Sequence, residues 1–578
     1  MSYSLSPPTF LPDWLLPPAS SLHHRPSISV AVAAVVAGLG LAYYVYADVL
    51  ELNKPAGWRA VPRISGLAYT ASLVAGMSIP ERYGFLFRDV LLKHGLARGN
   101  LGISVILTVG DPDMARQVLN NIDDFPKMTT GSNRPDDLIS RFFGTNLVSS
   151  NGVTWRRQRR IANPAFHRGW NTEIFAERAG VLVENIRRAI TTGEDEVEMV
   201  DMFQRLTLDV LGKAVFGYNF AGLENPNSEY IQIYNEIVKL SGQPINLFFP
   251  FITQYLRPGL DSKIVRFDDM LYRIIDHKRE EILRAAAERG GQPMTPEEEK
   301  GADLLALMLQ ACNAEEEGRR MDRKELRDNM MAFFIAGYFL EHAQLVFQHD
   351  TTSSAFSSAF YELATQPVCF IIYLTMRNCE HIQTTARAEI LSVLGPNPAS
   401  APTTDQLKLL PYLDAVIKET LRLYPPLPTI AFRKAARDVP LVDVTRGKRY
   451  VVPRGTLIAA SAWHLGRNSA VWGHDAAVFR PERWIEEPEL GRRAGWNYLP
   501  FSNGTRSSTR RAFCAPYVPP FTRNSSTLAV FNRIIFSRTV REFEWTLPAD
   551  SLHADGLVFT EFNALKSRPM RIVFRARG

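Results

Sequence analysis

Glu419 and Arg422 stand three residues apart where Leu413, Val416, Ile417 and Leu421 recur at helical spacing, so the two side chains can meet on one helix before Pro425 and Pro426 stop it. Alone, such a pair reads as a surface ion pair worth at most about 1 kcal/mol. Its company is more informative. Downstream stand Phe479-Arg-Pro-Glu-Arg-Trp484 and Phe501-Ser-Asn-Gly-Thr-Arg506, and upstream stands Trp155-Arg-Arg-Gln-Arg159. His349-Asp350-Thr351-Thr352 sets an acid beside an alcohol, or is simply a polar helix surface. Other chemistries are excluded. The four cysteines, Cys312, Cys369, Cys379 and Cys514, form neither a disulfide framework nor a Cys-x-x-Cys pair, and no His-x-x-x-His suggests zinc. No Gly-x-Gly-x-x-Gly follows a strand, so electrons for any redox step come from another protein.

The elements that must position these residues belong to a large folded chain of 578 residues, 46% hydrophobic and 22% charged. A net charge of +6 with no concentrated basic stripe argues against a nucleic-acid partner. Residues 28–47 carry no charge, and a helix of that length matches the roughly 30 Å hydrocarbon core. Arg25 precedes the run and Lys54, Arg59 and Arg63 follow it, which keeps the C-terminal bulk cytosolic. A cleaved signal peptide is the rival, opposed by the run's length and by Tyr43, Tyr44 and Tyr46 at the cleavage position. The layout is therefore a lumenal segment over 1–27, a membrane anchor over 28–47, a linker over 48–66 and a body over 67–578. Helical patterns dominate to Leu423, with short strand-like runs such as Val439–Val444 and Tyr450–Val452 mainly later, so the body is mainly α with minor β. Glu288–Asp303, with Gly290, Gly291, Pro293 and Pro296, reads as a surface loop between long helices.

In order and spacing the set resembles the cytochrome P-450 family of haem-thiolate monooxygenases, from the anchor to Phe574. The resemblance implies the P-450 fold behind one N-terminal transmembrane helix, with haem b as cofactor. It implies a buried structural triad of Glu419, Arg422 and Arg483, and Trp155, Arg159, Arg433 and Arg506 as haem-binding residues, the arginines on the propionates. It also implies that Asp350 and Thr351 relay protons to dioxygen. The partners are an NADPH-dependent P-450 reductase, a membrane and an apolar small molecule, and the place is the endoplasmic-reticulum membrane.

Three blocks depart from the family pattern. Residues 338–348 separate Ala332–Gly337 from His349, about three helical turns, or roughly 16 Å along a continuous helix. Residues 368–380 follow Pro367 and include Cys369 and Cys379, to which no role is assigned. Residues 514–527 precede the family-like terminal helix. The metal-ligating position holds Ser508, which is no thiol, and the following Gly position is Arg510. Cys514, six residues on, is the alternative ligand, about 9 Å away if the segment is helical. Blocks so flush between family-like stretches are what unspliced or shifted coding segments would yield. Two functions stay open: a haem monooxygenase acting on a lipid, terpenoid or other secondary metabolite, or a catalytically silent, membrane-anchored relative without the axial thiolate. Leu247-Phe-Phe-Pro-Phe-Ile252 reads equally as a membrane-dipping access loop or as buried loop core.

Overall fold

The computed structural model describes residues 56–101, 104–127, 142, 144–167, 172–194, 196–233, 259–290, 303–312, 320–338, 371, 375, 380–398, 400–487, 489–500, 502–504, 527–559 and 568–577. The anchor over 28–47, the apolar run 247–252, and Asp350, Thr351, Arg506, Ser508 and Cys514 lie outside these residues. Among the described residues no helix is long and apolar enough to cross a membrane.

One compact unit takes in Pro55–Gly578. Helix α1 (Ala56–Arg59) carries Trp58, fully buried in the core around the largest sheet, because an indole of that size costs too much to leave in water. That sheet has four strands in the order β1 (Leu96–Leu101), β2 (Ser104–Val109), β7 (Leu457–Ser461), β4 (Thr429–Lys434). β1 and β2 pair antiparallel, whereas β2 and β7 run parallel with Ile106 opposite Leu457. Two of these strands precede the region where strand-like runs were expected. The signal is weak because Ser-Val-Ile-Leu-Thr-Val is a nearly continuous apolar run without clean alternation, as buried strands of parallel pairs often are. Smaller sheets join β5 (Val439–Asp443) to β6 (Lys448–Val452), and β3 (Glu196–Glu198) to β9 (Arg571–Ala576) and β8 (Phe543–Thr546).

Helices form the rest: α2 (Pro112–Asn120), α3 (Gly152–His167), α4 (Thr172–Thr191), α5 (Met199–Leu211), α6 (Leu260–Glu288), α7 (Leu304–Cys312), α8 (Arg323–Tyr338), α9 (Glu380–Leu394), α10 (Pro411–Leu423), α11 (Arg483–Glu486) and α12 (Thr527–Glu542). The mainly helical body with minor sheet is thus what the chain forms. α6 ends at Glu288, where the polar stretch begins. α10 turns Leu413, Val416, Ile417 and Leu421 into one core with α12's Ile534, Ile535 and Val540.

Candidate functional site

The structure brings Glu419, Arg422 and Arg483 together, all at most 3% exposed. Arg422 donates from Nε to Glu419 Oε2 at 2.8 Å and from Nη2 to Oε1 at 2.7 Å. Arg483 Nε reaches Oε1 at 2.9 Å, and the Arg480 amide and Trp484 Nε1 each donate at 3.0 Å. The remaining guanidinium hydrogens go to carbonyls of Gly466, Ala476, Val478 and Trp472 and to Asp475. Burial works against charge on Arg483, yet Glu419 and Asp475 hold its pKa above the usual guanidinium value. Buried charge is tolerable only when paired and fully hydrogen-bonded, and this network is both. It closes α10 onto α11 and leaves no donor over for a ligand.

Arg433 is the opposite case. It sits on β4 at 1% exposure, and among the described residues its buried Nε and Nη1 have no hydrogen-bond partner. Burial alone pushes its pKa down to about 10. A bulge sets its direction: from Ile430 to Arg433 the strand advances three residues while its partner β7 advances two, Ala460 to Ile458, so the side-chain alternation is reset at Arg433. An interior guanidinium with two idle donors fits an anionic oxygen ligand that enters the site, as a haem propionate would.

Trp155 and Arg159 lie one turn apart on α3, with the guanidinium 5.2 Å from the indole centroid. Desolvation lowers the Arg159 pKa. The neighbouring Arg157 pairs with Glu325 and donates to the Arg320 carbonyl at 2.6 Å, tying α3 to α8. α8 also grips the segment before α3: Asp328 Oδ2 accepts from the Thr145 amide at 2.9 Å, and Asn329 Oδ1 from the Leu147 amide at 2.8 Å. Gly144, immediately before Thr145, has φ +60°, and a Cβ there would run into the Asp328 carboxylate.

Several site features carry no strong sequence signal. Asn151 bonds Lys127 by both ends of its amide, and Lys127 forms an antiparallel bridge with Arg433. Gly504, with φ +84°, passes so close to α2 that a Cβ would lie 2.6 Å from the Leu119 carbonyl oxygen. Arg467 lies over Trp463 with its guanidinium 3.4 Å from the ring centroid, and its buried Nη1 has no partner. Burial pushes its pKa down to about 9. Next to it the Tyr83 hydroxyl and His464 Nδ1 share a 2.5 Å hydrogen bond, and burial pushes the imidazole pKa down to about 4. Asn151 before Gly152 at a helix start is the one such pattern a sequence can offer.

The family model described as Cytochrome P450 matches residues 96–507. Among curated relatives, Protein LUTEIN DEFICIENT 5, chloroplastic, of Arabidopsis thaliana is 29% identical over 437 residues, covering 73% of this chain and 64% of the relative. Cytochrome P450 monooxygenase 91 of Postia placenta is 30% identical over 371 residues, covering 59% and 63%. The chain therefore spans a little under two thirds of the length of either relative. A solved structure titled as the cytochrome P450DA heme domain is similar in fold, with a TM-score of 0.66 at 21% identity over 90% of this chain and 98% of that one. A match that takes in Trp155, the triad and Arg433 establishes that the chain belongs to the cytochrome P450 family.

Proposed function

We propose that the chain is a haem-dependent monooxygenase that oxidises an apolar small molecule, a lipid, terpenoid or other secondary metabolite, with dioxygen and electrons from an NADPH-dependent reductase. The observation that carries this reading is Arg433, whose two idle, buried donors fit a propionate of haem b. A ganoderic acid synthetase of Ganoderma lucidum, 27% identical over 442 residues, supports the substrate class. The apolar run over 28–47 is the single-pass anchor, holding the body on the cytosolic face of the endoplasmic reticulum.

In this reading Arg433 and Arg159, with Arg506, hold the propionates by charge-assisted hydrogen bonds, and Trp155 keeps Arg159 from collapsing onto solvent. When bound, the haem supplies the electron-transfer and dioxygen chemistry that no side chain can. Glu419, Arg422 and Arg483 touch no substrate in this scheme; they hold α10 and α11 rigid behind the site. The Asp350 carboxylate and the Thr351 hydroxyl are the proton-handling pair, separated from α8 by residues 339–349.

One observation favours a second reading. The position that would ligate the haem iron by the family pattern holds Ser508, whose neutral hydroxyl would lack the electron push of a thiolate, so the chain as written fits a haem-binding but catalytically silent relative. The carbon-monoxide difference spectrum of the reduced, full-length chain separates the two. A red-shifted Soret band of thiolate ligation supports the monooxygenase and makes Cys514 the ligand to replace first. Haem uptake without that band supports the silent relative, and no uptake at all removes both.

A further inference from the structure

We propose that Asn151 is a positioning residue for the carboxylate-holding side of this site: its side-chain amide ties the helix face that bears Arg159 to the strand that bears Arg433, so that both guanidiniums address one dicarboxylate ligand. The inference rests on the haem-binding reading above and adds to it the part that sets the spacing between two arginines.

The connection is continuous. The Lys127 amide donates to Asn151 Oδ1 at 3.2 Å, and Asn151 Nδ2 donates back to the Lys127 carbonyl at 2.6 Å. The amide thus copies the two-bond exchange of a strand pair. Lys127 in turn forms an antiparallel bridge with Arg433. The same edge is zipped by the Lys434 amide onto the Pro126 carbonyl at 3.1 Å and the Ala436 amide onto the Asp124 carbonyl at 2.9 Å. Lys127 Nζ also donates to the Val148 carbonyl at 3.2 Å, closing the loop that leads into α3. On the helix side, Trp155 and Arg159 lie four residues apart on one face of α3, and Asn151 stands immediately before its first residue, Gly152. The Asn151 carbonyl accepts the Trp155 amide at 3.3 Å, so the gripping residue is itself the start of that face. From Gly152 to Arg159 the rise is about 10 Å of helix, and the one junction between the Asn151 grip and that helix is Gly152, whose φ is +57°. Loss of the amide frees α3 to slide or rotate against β4, and a lateral shift of even about 1 Å costs a bidentate contact its geometry.

The test compares two probes that share an iron porphyrin and differ only in carboxylates: haemin and haemin dimethyl ester, titrated by absorbance into the full-length chain in detergent. The wild-type chain is expected to take haemin at least about tenfold more tightly than the diester. Asn151→Ala is expected to lower haemin affinity about tenfold and leave diester affinity unchanged, collapsing the ratio. Asn151→Asp, which keeps the acceptor and loses the donor, is expected to fall between them, and carries the test if the alanine variant does not fold. Equal losses for both probes would show a merely structural role and overturn the proposal, as would a ratio that both variants leave at the wild-type value. A wild-type chain that binds haemin without preferring it to the diester would instead overturn the propionate role of Arg433, and the proposal with it.

Discussion

Arg422 grips both carboxylate oxygens of Glu419, at 2.8 Å and 2.7 Å, with neither residue more than 1% exposed. Arg433 is as deeply buried and has two nitrogens with nothing to hold. The same side chain in equally dry surroundings is spent in one place and kept available in the other. Neither burial nor idle nitrogens alone mark a functional arginine, since Arg533 also has a buried Nε and Nη1 without partners; Arg533 spends its remaining nitrogen on Asp414, whereas no carboxylate among the described residues pairs with Arg433.

Glu419→Gln is therefore expected to destabilise the folded chain by about 3–5 kcal/mol, since two buried guanidiniums lose the charge that offsets their desolvation. Urea unfolding followed by circular dichroism reads the change. A loss below about 1 kcal/mol would mean that the network is not closed in solution.

Arg433→Leu is expected to act in the opposite sense on the ligand-free chain. Removing an unpartnered interior charge should leave its stability unchanged or raise it by about 1–3 kcal/mol, while haemin affinity falls at least about tenfold. Parallel thermal melts and haemin titrations check both halves. Stability lost together with affinity would assign Arg433 to the core.

His464 makes a prediction for pH. Burial lowers its folded-state pKa from 6.5 to about 4, so between these values the unfolded chain binds more protons than the folded one. Its contribution is fully present above pH 6.5 and is lost as pH falls toward 4, up to about 3 kcal/mol in all. Unfolding free energies of wild type and His464→Gln at pH 7 and pH 4.5 isolate it: the variant should show the shallower decline. Parallel declines in the two chains would contradict the assignment.

Gly504→Ala should cost about 1–3 kcal/mol, because its φ of +84° strains any L side chain and the new methyl meets the Leu119 carbonyl oxygen. Thermal melting of the ligand-free chain checks this. An unchanged midpoint would mean that the segment at Gly504 does not pack against α2.

Much of the helical body was legible because α10 repeats Leu413, Val416, Ile417 and Leu421 on one face, and periodicity survives in a single sequence. Glu419 was legible only through its company: three residues from Arg422 it looks like a surface pair, and the partners that bury it, Arg483 and Trp484, lie more than sixty residues on. β1 and β2 were not legible, since pairing of β2 with β7 joins Ile106 to Leu457 and no local pattern encodes so distant a neighbour. The Asn151 grip was hidden for another reason. It acts on the backbone of Lys127, and a backbone partner leaves no residue type for a reader to notice.

The parallel pairing of β2 with β7 has a consequence for biosynthesis. A ribosome adding about 5–20 residues per second finishes β7 roughly 20–70 s after β2 has emerged, and in that interval β2 offers one bare edge of amides and carbonyls beside its hairpin mate. Shielding of that edge on the growing polypeptide, by holdase chaperones for example, is therefore expected to raise the yield of folded protein.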